Sequence, residues 1–233
     1  MPPDVLKIAE FATRGGGQTK LIDTVGVEEE ATHAHVPQRV TVLPVGLMSA
    51  DLLHLVREVT GPNGTAGAAG FKVLVFFTTA RLCQLYSELF VQVRPAMISS
   101  RSPRALPRSP TFSSCPPLCL ARLAQLGFTT LLEMHSRKSQ PHRTRVADQF
   151  RDGSNLIMFS SDVSARGMDY PDVTAVVQVG MPSDKAQYIH RLGRTARAGK
   201  AGGGYLLLAD YEAGCLNGMS DLPLEQVISH DLP

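Results

Sequence analysis

Tyr188–Lys200 reads YIHRLGRTARAGK and gathers His190, Arg191, Arg194 and Arg197 into one short segment. Wound as a helix, it sets His190, Arg194 and Arg197 at i, i+4 and i+7, a single stripe that Gly193 leaves bare. Two guanidiniums on one face suit a polyanion whose oxygens are held in fixed directions, because the arginine fork is directional where the lysine ammonium is not. A solvated basic helix face is the plain alternative, and the segment alone does not choose between them. Its upstream neighbour does. Ser160–Pro171, SSDVSARGMDYP, follows the short apolar run Asn155–Phe159, which Gly153 and serines bound. That run predicts a buried parallel strand whose carboxyl end opens into the loop, the place where parallel sheets bind ligands.

On these residues the chain resembles the DEAD-box RNA helicases. SSDVSARGMDYPDV and YIHRLGRTARAGK are similar to that family's motifs V and VI, in the family's order and spacing. Phe71–Thr79, FKVLVFFTT, resembles motif IV, and Gln140 with Arg143 resembles the Q-x-x-R element. The resemblance runs from about Val36 to the C-terminus apart from one insertion, and the wording of His135–Gln140 is similar to the organellar branch. It implies a RecA-like α/β fold of the P-loop NTPase type, a parallel sheet with helices on both faces, and specifically the second helicase domain.

Composition is permissive rather than decisive. With 233 residues and 43% hydrophobic content the chain is long enough for one domain with a sizeable core. A net charge of +2 requires any basic surface to be local. Cys83, Cys115, Cys119 and Cys215 show no paired metal spacing and read as reduced thiols of an intracellular protein. No apolar run spans a bilayer and no basic start leads into an apolar stretch, so neither membrane nor signal peptide is expected; organelle, nucleus and cytoplasm stay open.

Strand and helix signals alternate. The readings are strand Gln38–Val45; a helix capped by Ser49; strand Phe71–Phe77; a helix Thr79–Phe90 burying Leu82, Leu85, Tyr86 and Leu89; and strand Thr130–Met134. Helix Ser139–Arg151 follows, stopped by Gly153, then strands Asn155–Phe159 and Thr174–Val179, a helix capped by Ser183, and a last strand Tyr205–Leu208. Such alternation predicts a parallel sheet with right-handed crossovers. Residues 1–36 read as the exit segment of a preceding domain plus a linker, and 37–233 as the helicase domain. About 93–121 is a Pro/Ser/Arg-rich insertion that packs as neither strand nor helix, read as a disordered loop, a basic RNA-binding arm or a retained intron.

No G-x-x-x-x-G-K-[ST] loop occurs, nor Asp-Glu-Ala-Asp, so nothing here cradles the nucleotide phosphates or the metal. The resemblance therefore implies half of a two-part site. ATP and Mg²⁺ would be held mainly by a first RecA-like domain, and the isolated chain would be inactive. By the same resemblance Arg194 and Arg197 reach the γ-phosphate, Asp169 accepts from the ribose with Gly167 beside it, and His190 and Arg191 link the two domains. Ser161, Arg166, Gly167, Thr78 and Arg143 would hold the RNA backbone of a monomeric enzyme. Plainer readings stand beside these: Asp169 caps a turn, Arg143 is a solvated helix charge like Arg145, and Gly167 makes a tight turn. Phe76 and Phe77, ending a buried strand, read as core. A stand-alone RNA-binding or docking module, or a truncated gene model, is the competing reading of the whole.

Overall fold

The computed structural model describes residues 35–60, 70–92, 131–162, 170–197 and 200–226. They form a seven-stranded sheet with β1 Gln38–Leu43, β2 Lys72–Phe77, β3 Leu131–Met134, β4 Leu156–Ser160, β5 Ala175–Val179, β6 Gly203–Ala209 and β7 Leu224–Gln226. The order is β3-β4-β2-β5-β6-β1-β7, and each pairing is parallel. The helices are α1 Met48–Thr60, α2 Ala80–Gln92, α3 Gln140–Asp152 and α4 Lys185–Leu192.

The central strand β2 shows why the sheet is buried on both sides. Its six residues KVLVFF are all buried, and their period of two sends Val73, Val75 and Phe77 to one face and Leu74 and Phe76 to the other. On the first face α1 contributes Leu52, Leu53, Leu55 and Val56, and α2 contributes Cys83, Tyr86 and Phe90. On the second, α3 packs Val146, Ala147 and Phe150 under Leu74 and Met158. Tyr188 and Leu192 of α4 meet Val40, Leu206 and Leu208 farther along the same face.

Phe76 and Phe77 are core, both fully buried, as the sequence predicts. Other expectations need correction. α2 buries Tyr86 and partly buries Leu89 as expected but leaves Leu82 and Leu85 exposed and turns Phe90 inward; the Tyr86 and Phe90 rings lie 4.9 Å from Phe77 and 5.0 Å from Phe159. Two large rings in offset and edge contact outweigh two leucines. α1 starts at Met48 directly from the 3₁₀ turn Val45–Leu47, and Ser49, inside its first turn, donates to the Tyr86 hydroxyl at 3.4 Å. α4 is capped by Asp184, not Ser183: the carboxylate accepts from Gln187 N at 2.6 Å, while Ser183 donates its hydroxyl to Asp184. A charged acceptor at a helix amino end is the stronger cap. The backbone amide of Gln187 chiefly, with Ser183, holds the Asp184 carboxyl below the usual carboxylate range. Finally, β6 is not the last strand: a 3₁₀ run Asp210–Met219 leads to β7, which pairs with β1.

The readings of residues 1–34 and of the 93–121 stretch lie outside the described residues. No described helix is long and apolar enough to cross a membrane.

Candidate functional site

The strands share one direction, so the sheet has a carboxyl edge and an amino edge, and the sequence-predicted residues divide between them. At the carboxyl edge Thr78 follows β2, Ser161 follows β4, and Arg143 lies in the first turn of α3, just beyond β3. The Met134 carbonyl at the end of β3 accepts from Ser160 Oγ at 2.9 Å and from Ser161 N at 3.2 Å, which ties this corner together. Arg143 is half-buried, whereas Arg145 is the exposed neighbour; Arg143 Nε is buried and makes no hydrogen bond among the described residues. Thr78 leans against Gly180: a Cβ there would sit 2.8 Å from Thr78 Cγ2, and φ is +87°.

Arg194 and Arg197 stand at the opposite edge. α4 ends at Leu192, and Ala196 adopts φ +54°, so the helical stripe of His190, Arg194 and Arg197 does not form. The chain instead turns after Gly193, with Arg197 Nε donating back to the Gly193 carbonyl at 2.8 Å. Thr195 anchors the turn through Oγ1 to Val173 O at 2.5 Å, and Gly202 makes room for it: a Cβ at 202 would lie 2.1 Å from that hydroxyl. His190 stays exposed on the last turn of α4.

Arg194 and Arg197 line a cleft of about 560 Å³ together with Lys72, Lys200, Tyr170 and Asp172. Asp172 accepts from Lys200, and this contact above all holds its carboxyl below the usual range. Lys72 is buried, with Nζ donating to Arg151 O at 2.6 Å and Pro171 O at 3.3 Å; desolvation lowers its ammonium from the ordinary lysine value, against the pull of Asp172. Burial also pushes the Tyr170 phenol up to about 12, beneath the cleft. Five cationic side chains, Lys72, Arg151, Arg194, Arg197 and Lys200, against Asp152 and Asp172 make the lining suited to an anionic group.

Arg191 belongs to neither opening. It is 1% exposed, lies over the Phe76 ring at 5.4 Å, and grips Asp162 through Nε at 2.8 Å and Nη2 at 2.6 Å. Asp162 also accepts from Gln187 at 3.0 Å, so one carboxylate joins the carboxyl end of β4 to α4, the helix that leads to Arg194 and Arg197. Sequence reasoning did not single out Asp162, Lys72, Lys200 or Gln178. Gln178, a polar residue inside the buried strand AVVQV, was the readable signal; its amide donates to Tyr188 O. Arg166, Gly167 and Asp169 lie outside the described residues.

Comparison with known proteins agrees with this architecture. Residues 109–199 match the helicase conserved C-terminal domain. The chain is 39% identical over 228 residues to DEAD-box ATP-dependent RNA helicase 26 of Oryza sativa subsp. japonica, a match covering 98% of this chain and 35% of that protein. It thus spans about a third of the length of this curated relative. Mss116p bound to ssRNA and AMP-PNP superposes with a TM-score of 0.62 at 22% identity, over 84% of this chain and 33% of that one. A DEAD box protein from Methanococcus jannaschii gives 0.58 at 20%, over 97% of this chain and 49% of that one. These two likenesses speak for the fold. Sheet, motif order and relatives together show that the chain belongs to the DEAD-box RNA helicase family and carries its C-terminal, RecA-like helicase domain.

Proposed function

We propose that this chain is the second half of an ATP-dependent RNA helicase, with nucleotide contacts on its amino edge and RNA contacts on its carboxyl edge. The separation of the two sets is the observation that carries the reading. Arg194 and Arg197 share a cationic cleft with Lys72 and Lys200, while Thr78, Ser161 and Arg143 gather beyond the opposite strand ends.

In this reading Arg194 and Arg197 place guanidiniums on the γ-phosphate, where negative charge develops as the phosphoryl group transfers; such a contact contributes roughly 10³ to 10⁵ in rate. Asp169 takes the ribose, with Gly167 close to the nucleotide, and His190, exposed beside the turn, meets the first domain. Arg191 fixes the angle of α4 through Asp162 rather than touching substrate. Bound ATP supplies the phosphoanhydride, and Mg²⁺ rides with it on the first domain's residues. The cationic lining fits the phosphate part of such a ligand. On the other edge Ser161, Thr78, Arg143, Arg166 and Gly167 hold phosphates and sugars, contacts that position a strand without reading its sequence. The enzyme works as a monomer inside the cell, residues 1–36 connecting the two domains.

The test is a fusion of a DEAD-box first domain ahead of Met1. RNA-stimulated ATP hydrolysis should appear, and Arg197→Ala should lower turnover by about a thousandfold or more with RNA affinity kept. A folded fusion that is active yet indifferent to both Arg194→Ala and Arg197→Ala would sink the assignment. The competing reading, an RNA-binding module without ATPase activity, is favoured by one feature: Thr78, Arg143 and Ser161 come together within this domain alone. A fusion that binds RNA and never hydrolyses ATP would select it.

A further inference from the structure

We infer that His135 is the positioning residue of the RNA edge: a neutral imidazole, protonated on Nε2, that fixes the loop from β3 into α3 and thereby aims Arg143. The inference rests on the RNA reading of that edge.

His135 is 1% exposed, and both ring nitrogens are engaged. Nδ1 accepts from the backbone amide of Arg137 at 3.2 Å, so it carries no hydrogen. The proton therefore sits on Nε2, which faces Glu133 Oε1 at 2.7 Å and donates to it. Glu133 is fixed in turn: its other oxygen meets Lys138 Nζ at 2.8 Å, and its carbonyl lies 3.3 Å from His142 Nε2 in α3. Lys138 N closes the loop on His135 O at 3.1 Å, and Arg143 N on Ser139 O at 3.0 Å opens α3. One residue before His135, Met134 O holds Ser160 and Ser161.

The same short stretch thus sets both Ser161 and the start of the helix bearing Arg143. A ring with neither nitrogen free cannot itself bind a phosphate, so His135 acts through what it holds. The two nitrogens do separable work. Asn at 135 keeps an acceptor near Nδ1 and loses the donor to Glu133, whereas Gln keeps a donor near Nε2 and loses the acceptor for Arg137. The loop bond to Arg137 is the one that shapes the path into α3, so the two variants should differ.

The experiment titrates the whole chain with a short single-stranded uridine oligonucleotide across a salt series. His135→Gln should weaken binding about tenfold and reduce the log–log salt slope by about 0.7, the loss of one phosphate contact to a single strand. His135→Asn should stay within about twofold of the parent, a difference in outcome that simple loss of a core residue would not give. Equal losses in the two variants, or none, overturn the proposal. Arg143→Ala separates the levels of failure. If it weakens RNA binding while His135→Gln does not, positioning by His135 is wrong and the RNA edge stands; if it leaves binding unchanged, or the parent does not bind, the RNA reading falls and the proposal with it. Imidazole ¹⁵N spectra of the parent chain give a check that needs no variant to fold: an Nε2–H ring is expected, and an Nδ1–H ring overturns the assignment.

Discussion

The carboxyl and amino edges of one sheet are built on opposite plans. The carboxyl edge presents the hydroxyls of Thr78 and Ser161, backbone groups and the half-buried guanidinium of Arg143, held by hydrogen bonds such as those on Met134 O, with nearby charges tied in pairs, Lys138 to Glu133 and Asp162 to Arg191. The amino edge concentrates charge: Lys72, Arg194, Arg197 and Lys200 converge on one cleft, with Asp172 taken up by Lys200. A surface of hydroxyls and amides suits a ligand held by its repeating backbone whatever its sequence, whereas converging cations suit a compact anion with changing charge. The parallel sheet makes this division possible, because its strand ends are chemically distinct places.

Asp162 is the bond that should break the division most severely. Asp162→Ala leaves the guanidinium of Arg191 buried without its carboxylate, a loss of about 3 kcal/mol, taken at the low end because Asp162 is itself 42% exposed. Both edges should suffer, since Ser161 adjoins Asp162 and α4 carries the chain to Arg194; chemical denaturation gives the loss, and an unchanged midpoint would show that the pair merely decorates the surface. Gly202→Ala should strike one edge. Its Cβ would meet Thr195 Oγ1 at 2.1 Å and Ala196 N at 2.8 Å, forcing the arginine turn outward for about 2 kcal/mol. RNA affinity should be kept while turnover of the fused enzyme falls, and a matching drop in RNA affinity would argue that the edges are mechanically one.

Arg143→Ala is the reciprocal, smaller perturbation. Losing one backbone contact should weaken RNA by about tenfold, uniformly across sequences, with the ATPase ceiling regained at high RNA. A lower ceiling would move Arg143 out of simple binding. The slightest effect belongs to Asp172. Its carboxyl titrates lower in the folded chain than unfolded, so the stability it contributes is present above the unfolded value and fades as pH falls through the folded one. Lys200→Ala should lower the melting temperature slightly at neutral pH, where that contribution is present, and leave it unchanged in acid below the folded value, so that the profile flattens by a small amount given the exposure of both groups.

The sheet was legible because buried parallel strands announce themselves: KVLVFF and LIMFS are continuous apolar runs between helical periods. The faces were less so: Tyr86 was placed inward correctly, but hydrophobicity alone also favoured Leu82 and Leu85, where aromatic packing chose Phe90. The arginine stripe failed because α4 stops at Leu192, before Arg194, and because Ala196 turns left-handed before Arg197, neither of which helical periodicity encodes. β7 escaped notice since three residues, LEQ, carry no readable period and owe their form to β1. At the site, Arg194, Arg197, Thr78, Ser161 and Arg143 were named from motifs, whereas Asp162 and Lys72 matter through partners far along the chain, and pairing at a distance leaves no local trace.

The strand order also decides when this domain can become itself during synthesis. β1 is the first of the seven described strands to be made, yet it lies between β6 and β7, with Gln38 opposite both Gly204 and Leu224. At roughly 5 to 20 residues per second, a nascent β1 waits on the order of ten seconds or more before either neighbour leaves the ribosome. Until then its backbone presents two unpaired edges, and closing the sheet means joining segments far apart in sequence, the kind of step that makes non-local topologies slow to fold. Chain growth, not local helix formation, should set the earliest moment at which both edges of the site exist together.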